Sequence, residues 1–114
     1  MDYCVSCKIS EDLALEIHAI IKSLNDKPQK GEHTSEIVRV IVRLSEEALT
    51  SFFITPVKKI KIGQMYEKIA QLGLNTGLSI ISKASKKIIN QLSEDQLRQF
   101  AALLNSFICP CENY

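Results

Sequence analysis

Residues 34–54, T-S-E-I-V-R-V-I-V-R-L-S-E-E-A-L-T-S-F-F-I, decide the fold of this chain. Apolar residues recur there every three or four positions, which is the repeat of one helix face, at Ile37, Val40, Ile41, Leu44, Ala48 and Phe52. Further apolar residues widen that face beyond what one neighbouring helix needs, at Val38, Val42, Leu49 and Phe53. We therefore expect a helix over 35–54 that is central or lies at a dimer interface.

The rest of the chain has the same helical spacing and predicts further helices at 11–24, 56–72, 76–90 and 94–108. Ser10 is a candidate N-cap, and Ser93 with Gln96 forms a capping box. Thr55-Pro56 predicts the end of one helix and the start of the next, because proline suits the first helical position. We expect an all-α protein, a compact bundle of four to five helices, with one domain over 1–114 and cysteine-bearing tails at 1–9 and 109–114.

The number of helices depends on Gly73. The run Leu72-Gly73-Leu74-Asn75-Thr76 is typical of a helix end followed by a new N-cap. Unbroken, residues 57–90 would span ~50 Å, about twice the length of the first or last helix. We therefore expect a break at Gly73, with Val57, Ile60, Met65, Ile69 and Leu72 on the inner face of the helix before it. In the alternative, Gly73 and Gly77 mark close packing, and the bundle has four helices.

Composition places the chain among ordinary globular domains, with 46% hydrophobic and 24% charged residues. No apolar run approaches the ~18 residues of a membrane span. The start, Met1-Asp2-Tyr3-Cys4, lacks the basic and apolar regions of a secretory signal. We expect a cytoplasmic protein with reduced thiols and no membrane contact.

The four cysteines lie in two pairs near the ends of the chain, Cys4 with Cys7 and Cys109 with Cys111. Four thiolates can hold one tetrahedral Zn²⁺ at ~2.3 Å each, provided that both tails meet. Four up-down helices bring the tails to one end of a bundle, whereas five bring them to opposite ends. With five helices we expect unlinked cysteines in loose tails and no cofactor. The alternatives are a zinc site, a disulfide clasp, an intermolecular disulfide or a redox pair.

Catalytic groups are sparse. His18 and His33 have no partner at metal-ligand spacing, and the adjacent Glu46 and Glu47 point to different sides of a helix. The chain has no glycine-rich phosphate loop. We therefore expect that the protein is not an enzyme, and we find no sign of a small-molecule substrate.

The charge is unevenly distributed along the chain. Residues 56–92 carry seven lysines and one glutamate, while the segments before and after carry net charges of −3 and −2. A helix-turn-helix around Gly73 would place candidate nucleic-acid contacts at Lys58, Lys59, Lys61, Lys83, Lys86, Lys87 and Asn90. Ser79 and Ser82 depart from the apolar register of that motif, and no arginine is present for bidentate guanine contacts. The alternative is a solvated face that balances the acidic helices.

Taken together, these features predict a small non-enzymatic helical interaction or regulatory module. Its expected partner is another protein or a second copy of itself, bound through Val38, Val42, Leu49 and Phe53. One alternative is a nucleic-acid-binding regulator that uses residues 56–92. The other is a thiol or metal sensor at the terminal cysteines.

Overall fold

The structure, a computed structural model, describes residues 3, 6–26 and 33–108, and all regular structure in these ranges is helical. Helix α1 (Glu11–Asp26) begins where the sequence predicts a capping serine. The backbone N–H of Leu13 donates to Ser10 Oγ at 3.3 Å, which satisfies one of the free donors at the helix start. The buried face of α1 has the predicted spacing and consists of Leu13, Ile17, Ile20 and Leu24.

The second helical pass is a continuous rod rather than two helices. It consists of α2 (Thr34–Leu49), a π-helical segment (Thr50–Ile54) and α3 (Thr55–Lys59). The predicted stop at Thr55-Pro56 is therefore wrong. Pro56 has no N–H, and its ring crowds the carbonyl four residues earlier. The N–H of Thr55 donates to the Thr50 carbonyl, five residues back, so the wider π turn takes the proline into the rod.

The chain reverses direction at residues 60–63. Lys61 has φ +53° and Gly63 has φ +132°. At Gly63, glycine adopts this positive φ without the steric cost that a Cβ would bring. Helix α4 (Gln64–Asn90) then runs for 27 residues without interruption through Gly73. The predicted break at Gly73, and with it the helices at 56–72 and 76–90, is wrong, because the true break lies at the positive-φ turn before Gln64.

Tertiary packing explains why Gly73 does not end α4. Ala70, Leu74 and Leu78 follow each other at intervals of four residues and are all buried, in a cluster that includes Val42 and Leu49 of α2. Their burial outweighs the roughly 1 kcal/mol that a glycine costs a helix relative to alanine. Close packing does not explain the glycines either, since an added Cβ at Gly73 or Gly77 would meet no atom within 4 Å.

Helix α5 (Glu94–Phe107) begins with the predicted capping box. The Gln96 N–H donates to Ser93 Oγ at 3.2 Å, and the Ser93 N–H donates to Gln96 Oε1 at 2.9 Å. This reciprocal pair satisfies two backbone donors, and the sequence pattern alone located it.

Three contacts define how the four helical passes are arranged. Glu47 of α2 accepts a hydrogen bond from the Ser10 N–H at 2.7 Å, so α1 begins beside the distal part of α2. Asn90 at the end of α4 accepts from the Thr34 hydroxyl at 2.9 Å, so α2 and α4 are antiparallel. Helix α5 returns along α1. Ser10 and Phe107 therefore lie at the same end of the bundle.

The all-α bundle is confirmed, and its core has two parts. The larger cluster joins α1, the first half of α2, the end of α4 and α5. The smaller cluster lies inside a projecting two-helix hairpin, residues 49–78, and contains Ile54, Ala70, Leu74 and Leu78. The radius of gyration is 16.0 Å, compared with about 13 Å for a compact domain of similar length.

Within the described ranges, no helix combines the length and apolar character needed to cross a membrane.

Candidate functional site

Among the described residues, most of the exposed large apolar side chains lie on the hairpin. Eight large side chains on it are between 45% and 72% exposed: Phe52, Phe53, Ile60, Ile62, Met65, Tyr66, Ile69 and Leu72. We call these eight residues the hairpin surface. Several large exposed apolar side chains on one element mark an interaction surface, whereas scattered single ones are ordinary.

The hairpin surface is exposed because, among the described residues, each rod of the hairpin packs mainly against the other rod. Helix α4 buries Ala70, Leu74 and Leu78, and this stripe leaves Ile69 and Leu72 on its outer sides. The sequence pattern predicts Ile69 and Leu72 inside only if the chain turns at Gly73, whereas it turns before Gln64. The signal that could have located this surface is the alternation of isoleucine with lysine in Lys59-Ile60-Lys61-Ile62. A buried helix face repeats its apolar residues every three or four positions, not every second one.

Lysines surround the tip of the hairpin. Lys58, Lys59, Lys61 and Lys68 are all exposed, and none of them forms a salt bridge within the ranges that the structure covers. At the base of the hairpin, the carboxylate of Glu46 is exposed. The hairpin therefore has a cationic tip and an acidic group near its base.

The four predicted interface residues have different positions in the fold. Val42 and Leu49 pack against the small cluster inside the hairpin, so the wide apolar face of α2 is used largely within the chain. Val38 is half-buried beside α4. Phe53 alone among the four belongs to the hairpin surface, at 45% exposure. The apolar face of α2 is wide because α2 packs against both α1 and α4.

The predicted nucleic-acid contacts do not form a helix-turn-helix, because α4 is unbroken where that motif needs its turn. Lys58, Lys59 and Lys61 lie at the tip of the hairpin. Lys83, Lys86 and Lys87 lie in the last turns of α4, roughly 30 Å along the helix from its start. The structure thus separates the basic block into two groups.

One cleft brings together residues of the predicted interface and residues of the predicted nucleic-acid set. Its volume is about 590 Å³, and it lies between α2 and α4. Val38 and Val42 of the predicted interface and Lys86 and Asn90 of the predicted nucleic-acid set line it.

Of the four cysteines, only Cys7 lies within the described residues, where it is half-buried and free. Cys4, Cys109 and Cys111 lie outside them. His18 is exposed, and His33 lies 3.9 Å from Glu36. Across residues 3, 6–26 and 33–108, no three histidine, cysteine, aspartate or glutamate side chains are grouped so that they could hold a metal ion.

No family model, curated protein sequence or solved structure matches this chain.

Proposed function

We propose that this protein is a non-enzymatic interaction module that forms a homodimer through the hairpin surface. The observation that carries the proposal is the set of eight large apolar side chains left exposed on a two-helix projection. Large apolar and aromatic side chains of this kind dominate the energetics of protein interfaces.

A second copy is the occupant that suits this surface best. A two-helix hairpin is half of a four-helix bundle, and two hairpins packed together would each bury one face against the other. Such an interface is isologous, because each copy contributes the same residues and the pair closes by a two-fold axis.

Charge favours an antiparallel pair of hairpins. In a parallel pair, the lysine-rich tips of both copies would lie together and repel each other. In an antiparallel pair, the tip of each hairpin lies beside the base of the other, which brings Lys58, Lys59 and Lys61 towards the exposed Glu46 of the second copy. The uneven charge of the sequence then contributes to the orientation of the two copies.

Two leucine variants test the proposal, since Leu72 is 66% exposed on the hairpin surface and Leu15 is 62% exposed on α1. Dimerisation makes the melting temperature rise with protein concentration, by mass action. Across about a hundredfold range of concentration, we expect this rise for the wild type and for Leu15→Glu, and its loss in Leu72→Glu. Equal behaviour of the two variants would remove the hairpin surface from the interface.

A second candidate function, a metal or thiol clasp at the cysteines, is favoured by one observation. The four helical passes place Ser10 and Phe107 at the same end of adjacent helices. Cys7 precedes Ser10 by three positions, and Cys109 follows Phe107 by two. We propose that the Cys4–Cys7 and Cys109–Cys111 pairs together bind Zn²⁺, which thiolates from two short motifs can hold tetrahedrally.

The clasp predicts about one zinc per chain in native mass spectra of the reduced protein. A chelator should then lower the melting temperature, because zinc bound only to the folded state adds stability. Cys7→Ser should lose both the zinc and the response to the chelator. Reduced protein without zinc, and with an unchanged melting temperature, would eliminate the clasp.

A further inference from the structure

The cleft between α2 and α4 has no role in the proposed dimer, and its lining is unusual in composition. It opens between two points where the helices are joined. At one end, the Thr34 hydroxyl donates to Asn90 Oδ1 at 2.9 Å. Towards the other end, Val42 packs into the hairpin cluster. Between these points α4 presents the short Ser82 side chain, so the space of about 590 Å³ stays unfilled.

The polar lining of the cleft consists mainly of cations and hydrogen-bond donors. Arg39, Arg43 and Lys86 all line it. Lys86 forms no salt bridge with any residue that the structure describes. Asn90 uses its carbonyl oxygen to accept from Thr34, so its amide N–H groups remain as donors. The donors of the cleft therefore outnumber its available acceptors.

The two arginines are held in place before any ligand arrives. Arg39 Nε donates to Glu16 Oε1 at 2.6 Å, and an Arg43 terminal nitrogen donates to Glu16 Oε2 at 2.8 Å. Each guanidinium has five N–H groups, so one carboxylate leaves several of them unused. Glu16 thus restrains both arginine side chains, which also line the cleft, and this lowers the entropy cost of binding an anion there.

We infer that this cleft binds a small organic phosphate. The phosphate group meets Lys86 and the free N–H groups of Arg39 and Arg43, because a tetrahedral dianion accepts hydrogen bonds from several directions. The apolar body of the ligand lies along Val38 and Val42. The volume of the cleft is within the range of small-molecule sites.

Phenyl phosphate is a suitable probe, because it joins a phosphate monoester to a small apolar ring. We expect it to shift the backbone NMR signals of Ser82 and Lys86 in a saturable way at fixed ionic strength. Inorganic phosphate lacks the apolar body and benzyl alcohol lacks the charge, so each should bind more weakly. Saturable shifts centred on the hairpin surface, or no saturation with phenyl phosphate, would overturn the inference.

Lys86→Gln should weaken phenyl phosphate binding by about tenfold, the effect of losing one charge-assisted hydrogen bond. Lys87→Gln is the matched control, because Lys87 is also exposed but lies about 100° around the helix and does not line the cleft. Ser82→Leu fills the cleft without changing its charge, so this variant should abolish binding altogether. Equal losses in the two lysine variants would show general charge attraction and contradict a built site.

Discussion

Glu16 shows how single residues connect the helices of this protein. Helical spacing predicts solvated ion pairs along α2 itself, on the side opposite its apolar face, among Glu36, Arg39, Arg43, Glu46 and Glu47. In the structure, Arg39 and Arg43 both form ion pairs with Glu16 of α1. Within α2, Arg43 approaches Glu47 to 4.0 Å, a longer contact than the one it makes with Glu16. Helical spacing shows which residues share a face, but not which neighbouring helix that face meets.

The glycines allow a prediction at the same scale, since two of them are in opposite situations. Gly63 has φ +132°, where a Cβ is strained, so Gly63→Ala should destabilise the protein by about 1–3 kcal/mol. Gly77 is inside α4 with open space around it, so Gly77→Ala should stabilise the protein by about 0.5–1 kcal/mol. Urea denaturation midpoints measure both changes.

Opposite signs for the two glycine variants are the result that follows from these backbone conformations. A stabilising Gly63→Ala would show that the turn at 60–63 differs from the one described. A strongly destabilising Gly77→Ala would show that a Cβ at this position meets another chain.

At the scale of elements, the helices with local signals were predicted well. Ser10 and Ser93 mark the starts of α1 and α5, because a capping side chain bonds to backbone within three residues of itself. The two errors, at Pro56 and Gly73, share one cause. Proline and glycine oppose helix locally, but the packing of both rods against each other spans tens of residues and outweighs them.

The Ser93 cap gives a prediction for a single element. Ser93→Ala should lower the free energy of unfolding by about 1 kcal/mol, because the Gln96 N–H loses its acceptor. Ser79→Ala is a control, since Ser79 is exposed in the middle of α4, where alanine is the better helix former by about 0.5 kcal/mol. Thermal unfolding of the two variants should shift in opposite directions. A neutral Ser93→Ala would mean that water replaces the cap at no cost.

At the scale of the whole molecule, the sequence predicts surplus apolar surface, and the structure places much of it on other helix faces. Val42 and Leu49, predicted at an interface, are partly buried and pack against the small cluster. Ile69 and Leu72 were expected inside and are exposed. Moving one turn from Gly73 to Gly63 changes which neighbours α4 meets, so both assignments change together. The cleft between α2 and α4 could not be predicted from the sequence either, because it depends on how these two helices pair.

The central claim is that the hairpin surface of one copy is covered by that of another. Sedimentation equilibrium of the full chain at micromolar concentration tests it most directly. The account predicts a species of twice the 12.8 kDa chain mass. A single species of 12.8 kDa over that concentration range would contradict it.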